Sequence, residues 1–277
     1  MTDAPIRELA RAKINLTLHV TGRRPDGLHM LDSLVVFADL GDMVEAEPAQ
    51  GLSLSIEGPF GSGIGATADN LVLRAAQHVG GGAALRLTKS LPVSSGIGGG
   101  SADAAATIRA LARLHDRSLP DAASLKVLGA DVPVCLASRT TRMRGIGEVL
   151  EPAPILPPAW VVLVNPGVGV ATPAVFSKLG SAHNPPMQMP DAFASFTEFV
   201  QWLADQRNDL QQPAQSLAPV IGDVVTALRH DAAFARMSGS GATCFGLYPD
   251  QVSALAGADR IRAAHQGWWT AAAPLRV

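Results

Sequence analysis

Apolar and polar positions alternate strictly along residues 13–20. Ile14, Leu16, Leu18 and Val20 point one way; Lys13, Asn15, Thr17 and His19 point the other. A period of two predicts a strand with one buried face and one polar face. Shorter apolar runs at residues 34–37, 43–47, 52–56, 85–88, 160–164, 244–248 and 268–272 predict further strands. Helical spacing governs residues 101–115, which are Ala-rich and place Ile108, Leu111 and Leu114 on one side. Further helices are predicted over residues 70–79 with Asp69 as cap, 120–128 with a stop at Gly129, 192–206, 219–230 and 251–265. Residues 181–190 follow neither period and read as loop.

Proline punctuates the chain most densely at residues 151–158, where Pro152, Pro154, Pro157 and Pro158 occur. Proline continues neither a helix nor a central strand, so a domain junction is expected there, giving domains 1–153 and 154–277. Composition narrows the function classes. The chain has 277 residues, 47% of them apolar and 17% charged, enough to bury a sizeable core. A net charge of −2 argues against nucleic-acid binding through a broad basic surface, and 5% aromatics against repeated base-stacking platforms. Two cysteines, Cys135 and Cys244, make neither a disulfide framework nor a CxxC zinc site. No apolar run approaches a membrane span, and residues 1–9 lack the apolar stretch of a secretory signal, so a cytoplasmic location is expected.

Glycine carries the clearest chemistry. Pro92, Val93, Ser94, Ser95, Gly96, Ile97, Gly98, Gly99, Gly100, Ser101 and Ala102 follow a predicted strand and run into a predicted helix. Three successive glycines allow positive φ and strip the backbone of Cβ atoms, so its N–H groups can line a concavity. The helix start adds unpaired N–H groups and partial positive charge, and the whole suits phosphate oxygens. Ser101 can cap the helix, or its hydroxyl can face a phosphate or a Mg2+. A flexible loop before a capped helix would use the same residues. The loop is not a Walker motif, because no G-x-x-x-x-G-K-[ST] occurs. Gly61, Gly63 and Ala66 imitate a dinucleotide fingerprint, yet no acid lies between Asn70 and Ala102 to hold a ribose, and a hairpin tip is expected instead. A second glycine loop, residues 237–244, enters a strand and could face an anion or make a tight turn.

Charged residues add two candidates. Lys13 lies on the polar face of its strand, where a solvated edge lysine is the plain alternative. Asp131 is a single acid among apolar neighbours; it is either a helix cap with Pro133 in the first turn or a functional carboxylate. Arg23, Arg24, Asp26 and His29 crowd a segment that reads as a surface hairpin.

The segments Ala12-Lys13-Ile14-Asn15-Leu16, residues 22–29 (GRRPDGLH), 92–106, 128–136 with 145–148 (GIGE), and 237–245 occur in the order seen in the GHMP kinases, and the chain resembles that family over residues 12–245. Within it the AKINL and GRRPDGxH segments resemble the branch acting on a cytidyl-diphosphate methylerythritol in the non-mevalonate isoprenoid route. The resemblance implies a two-domain α+β fold, with an N-terminal α/β domain, a C-terminal ferredoxin-like domain and the active site in their cleft. It implies ATP phosphates on residues 92–102, a catalytic pair Lys13 and Asp131, and substrate contacts from Asn15, His29, Thr172 and Phe176. ATP and Mg2+ are the implied cofactors and a small molecule the implied partner, with no nucleic acid or membrane, in a monomer or homodimer. Leu28 stands where the family usually has Tyr, and Ala102 where it usually has Ser. Another small-molecule kinase of the family, of homoserine or mevalonate type, a dinucleotide-dependent oxidoreductase and a non-catalytic nucleotide-binding module are the rival readings.

Overall fold

A computed structural model describes residues 4–276. Residues 1–3, part of the segment read against a secretory signal, and residue 277 lie outside it. In chain order the elements are β1 (Ile6–Asn15), β2 (His19–Arg23), β3 (His29–Pro48), β4 (Leu52–Glu57), α1 (Leu71–Val79), β5 (Ala83–Thr88), α2 (Gly99–Leu114), α3 (Val132–Ala137), β6 (Thr141–Gly145), β7 (Val149–Pro152) and β8 (Trp160–Asn165). They continue with α4 (Thr172–Ser177), α5 (Phe196–Asp205), α6 (Gln211–Leu217), α7 (Val220–Arg229), β9 (Phe234–Met237), β10 (Cys244–Tyr248), α8 (Gln251–Ala264) and β11 (Trp269–Arg276).

Two compact units emerge, and they interleave along the sequence. The first takes the chain up to Ala12, then Leu40–Val93 and Gly98–Ser138; the second takes Lys13–Asp39, Ser94–Ile97 and the chain from Arg139 onward. Two of their five boundaries fall inside β1 and β3, and the proline-rich stretch 151–158 lies within the second unit.

In the first unit β5 pairs antiparallel with Met43–Pro48 of β3 and parallel with β4. A parallel pair needs a crossover, and α1 supplies it. Residues 61–66 therefore belong to this crossover and not to the expected hairpin tip. Asn70, not Asp69, caps α1, its side chain accepting the Val72 N–H. Helix α2 packs against α1 and α3, and Ala75, Ala104, Ile108, Leu125, Leu128 and Val132 close a small core between them. The helix expected over 120–128 shrinks to one 3-10 turn, Ser124–Val127. Asp121 draws the N–H groups of Ala123 and Ser124 to its own carboxylate, a local bond that competes with helix formation.

In the second unit the strands run β11-β8-β10-β9, all antiparallel. Numbered within this segment the order is 4-1-3-2, the ferredoxin-like arrangement, with α7 and α8 packed on it over Val162, Val164, Ile221, Val224, Leu228 and Ile261. Residues 29–35 of β3 pair with β2 and β6. The two strands expected at 34–37 and 43–47 are thus one strand of 20 residues. Both cysteines are buried, and burial pushes the Cys244 thiol up.

Candidate active site

The alternating segment 13–20 differs from expectation in one informative way. Its polar face is not solvated: Lys13 is 4% exposed, and Asn15, Thr17 and His19 are at most 2% exposed. The solvated-edge reading of Lys13 therefore fails. The strand also breaks at residues 16–18, where Leu18 bridges to Asn208. Buried polar groups need partners, and this face supplies a tightly bonded network. Asn15 Nδ2 donates to Ser33 Oγ at 2.8 Å, and Leu34 N donates to Thr17 Oγ1 at 2.8 Å. Asn15 Oδ1 is buried and lacks a hydrogen-bond partner. His19 Nε2 accepts the Arg207 N–H at 3.1 Å, which assigns the ring proton to Nδ1, facing the Pro185 carbonyl at 3.3 Å. Burial, with Arg207 beside it, holds the His19 pKa below its ordinary value.

Within the second unit the two glycine loops meet. Residues 94–97, the first part of the phosphate-loop candidate, pack against residues 238–243. Thr243 N donates to Ser95 O at 3.0 Å, and Lys13 N donates to Ile97 O at 3.0 Å. Ser238, fully buried, accepts the Asn15 N–H at 3.1 Å and donates its own proton to the Gly96 carbonyl at 3.2 Å. Gly96 has φ +74°, and a Cβ there would lie 2.6 Å from the Gly241 carbonyl oxygen. Only glycine allows both the turn and the approach. Asn208 fixes the second loop by donating to the Met237 and Gly239 carbonyls at 2.8 and 2.9 Å. Ser238 and Asn208 were not legible as site residues. The glycines of residues 237–244 marked the loop, and nothing in the sequence tied it to the first one.

Within the first unit Gly98 stands at the N-cap of α2 with φ +67°, and no side chain caps this end. Ala102 N makes the first intrahelical bond, to Gly98 O at 2.8 Å. The N–H groups of Gly99, Gly100 and Ser101 precede that bond, and the helix dipole concentrates positive potential on them. Ser101 consequently sits in the first turn and not at the cap, because Gly99 and Gly100 already adopt helical geometry. Asp131 occupies the N-cap position of α3, half-buried, with Pro133 in the first turn and no side-chain capping bond. Below α2, Lys89, Asp42 and Asp103 form a buried charged cluster. Asp103 is the sole acid in α2, a signal available in the sequence.

The remaining candidates lie in the second unit. Residues 24–28 form the expected hairpin, with Arg24 N donating to Leu28 O and Arg24 paired to Asp26 at 2.7 Å. Leu28 is 49% exposed. The His29 ring stacks on Phe176, centroids 4.6 Å apart and planes 21° apart. Partial burial, with Arg23 near, lowers the His29 pKa. Thr172, at the start of α4, shares a 2.7 Å hydrogen bond with Ser240 of the second glycine loop. Among the described residues no three His, Cys, Asp or Glu side chains are grouped as metal ligands, and no helix is long and apolar enough to cross a membrane.

Comparison with known proteins bears on this arrangement. The family model of the GHMP kinases N terminal domain matches residues 64–139, and that of the GHMP kinases C terminal domain matches residues 192–266. A 4-diphosphocytidyl-2-C-methyl-D-erythritol kinase of Cereibacter sphaeroides is 58% identical over 97% of both chains. One of Ruegeria pomeroyi is 57% identical over 96% of this chain and 98% of its own. A crystal structure of 4-(cytidine 5'-diphospho)-2C-methyl-D-erythritol kinase superposes with a TM-score of 0.80 at 33% identity, covering 98% of this chain and 99% of that one. A homoserine kinase of Cytophaga hutchinsonii shares the fold at a TM-score of 0.64 and 17% identity, covering 99% and 95%. The chain belongs to the GHMP kinases and, within them, to the 4-diphosphocytidyl-2-C-methyl-D-erythritol kinases.

Proposed function

We propose that this chain transfers the γ-phosphoryl group of ATP to the 2-hydroxyl of 4-diphosphocytidyl-2-C-methyl-D-erythritol. As a GHMP kinase it is a phosphotransferase with ATP as donor and an alcohol as acceptor. The observation that carries the substrate is the near-complete match to relatives of that name at 57–58% identity. The division at residue 153/154 is kept as a proposal, and it separates the two matched family segments.

Phosphoryl transfer asks the protein chiefly for positioning and charge stabilisation, since its transition state is loose. Residues 92–102 are the proposed seat of the ATP phosphates. The uncapped, Cβ-free start of α2 supports this reading, because it aims N–H groups where an anion would sit. Mg2+ is proposed as part of the nucleotide substrate, where it neutralises phosphate charge. Asp131 is the proposed acceptor of the hydroxyl proton as the new O–P bond forms, and its half-buried place among apolar neighbours at the start of α3 supports that role. Lys13 is the proposed cation that holds the hydroxyl or the moving phosphoryl group. Asn15, His29, Thr172 and Phe176 are the proposed substrate contacts. The orphaned Asn15 Oδ1 supports this, because a buried acceptor without a partner is costly until a ligand donor reaches it. A cytoplasmic location follows as a proposal from the same reading. The test is turnover of ATP with the cytidyl substrate beside homoserine and mevalonate. Preference for either of the other alcohols would reject the assignment.

A further inference from the structure

The charged cluster below α2 has no part in the chemistry above, yet its three members converge from three elements. Asp42 comes from β3, Lys89 follows β5 directly, and Asp103 lies on α2. Their exposures are 0%, 3% and 3%. Lys89 Nζ donates to Asp42 Oδ2 and, at 2.7 Å, to Asp103 Oδ2. Asp42 Oδ1 also accepts the Ser90 and Leu91 N–H groups at 2.6 and 2.8 Å, so its negative charge is well satisfied. Asp103 differs: its second oxygen, Oδ1, is buried with no partner. Two carboxylates share one ammonium, and one of them holds an unmatched lone pair in a dry site. Placement matters as much. A Cβ on Gly99 would lie 3.2 Å from Lys89 Nζ and 3.9 Å from Asp42 Oδ2. The cluster therefore touches the first residue of α2 from below.

We propose that Asp42, Lys89 and Asp103 are positioning residues whose joint charge tunes the anion-binding start of α2, so that binding a nucleotide draws a proton onto the cluster. The inference rests on the reading of residues 98–101 as a phosphate seat. With both carboxylates ionised the cluster carries −1 directly under that seat; with Asp103 protonated it carries zero. A nucleotide polyanion favours the neutral form, and by reciprocity the neutral form favours the nucleotide. Burial, aided by the Asp42 charge and opposed by Lys89, pushes Asp103 up to about 7. That places the change within the working pH range. Of the other elements packed on α2, α1 brings Arg74, drawn to the Val127 carbonyl, and an exposed His78, while α3 brings Asp131 and Cys135. The charges that act on Asp103 are Lys89 and Asp42.

Asp103→Asn keeps the shape and an oxygen for Lys89 while fixing the neutral state. Calorimetric titration of a non-hydrolysable ATP analogue with Mg2+, at pH 6 and 8.5 and in buffers of different ionisation enthalpy, compares it with the wild type. Ionisation of the nucleotide itself is common to both proteins. The wild type should bind about as tightly as the variant at pH 6 and on the order of tenfold more weakly at pH 8.5. Near pH 7 it should take up more protons on binding than the variant does. A ratio of affinities that stays flat with pH, with equal proton uptake, overturns the inference while leaving nucleotide binding intact. No binding by the wild type at either pH would remove the phosphate seat and the inference together. Should Asp103→Asn fail to fold, Asp42→Asn removes the other negative charge and must likewise flatten the pH dependence if the inference holds.

Discussion

At Asp131, asparagine keeps the side-chain shape and removes the proton acceptor. Asp131→Asn should lower kcat by about 10²–10⁴-fold with little change in KM for either substrate, a split that steady-state kinetics resolves. Equal turnover would exclude the acceptor role. The His29–Phe176 stack leads to a second residue-level outcome. If Phe176 packs on the cytosine, Phe176→Ala should raise KM for the cytidyl substrate by roughly tenfold, as loss of one base–aromatic contact costs about 1–3 kcal/mol. Leu28→Tyr should lower that KM by restoring a ring; an unchanged value removes Leu28 from the cytosine pocket. His19 is neutral in the fold, and its pKa is lowered by burial and by Arg207. Its stabilising contribution is therefore complete above the ordinary histidine pKa of about 6.5 and is lost as pH falls below it. Urea midpoints of the wild type should drop between pH 7.5 and 5.5, and His19→Gln should drop less. Equal drops would contradict the assignment. Residue chemistry was legible in type: Lys13 and Asp131 stood out as charged groups in apolar surroundings, and Asn15 came only from the family resemblance. Burial was not legible, because alternation alone does not say whether a polar face meets water or protein.

Elements were legible wherever a single period ran uninterrupted. Strand β10 matches its expected span, and α7, α8 and β8 differ by a residue or so at their ends. Misreadings came from tertiary pairing. Strand β3 reads as two short strands because residues 39–42 break the apolar run, yet its ends pair with different partners and keep the backbone extended through the break. The start of α2 was read late because two glycines open it, and glycine carries no helical signal of its own. The pairing of the two glycine loops gives a test at this scale. Gly96→Ala places a Cβ against the Gly241 and Ser238 backbone at positive φ, and should cost about 1–3 kcal/mol of stability together with affinity for ATP. Ser238→Ala unpairs the Asn15 N–H and the Gly96 carbonyl in a dry site, with a cost of similar order, about 1–3 kcal/mol. Chemical denaturation beside ATP titration checks both, and intact stability with intact affinity would show that the loops do not depend on each other.

Across the whole molecule, the order of motifs along the chain was enough to place it in its family, because the segments that carry the chemistry are local and rich in glycine. The division into compact units was not visible, since β1 and β3 each pass through a unit boundary without any change in composition. The buried cluster of Asp42, Lys89 and Asp103 was equally hidden, its members being 14 to 61 residues apart with no motif to join them. The central claim concerns the reaction, and the most direct measurement follows it by phosphorus NMR, with ATP and 4-diphosphocytidyl-2-C-methyl-D-erythritol as substrates. The account predicts loss of the ATP γ-phosphorus signal and growth of one new phosphomonoester signal without vicinal proton coupling, because the 2-position of the methylerythritol unit carries no hydrogen. ATP consumed without that signal, or a monoester formed on another hydroxyl, would contradict it.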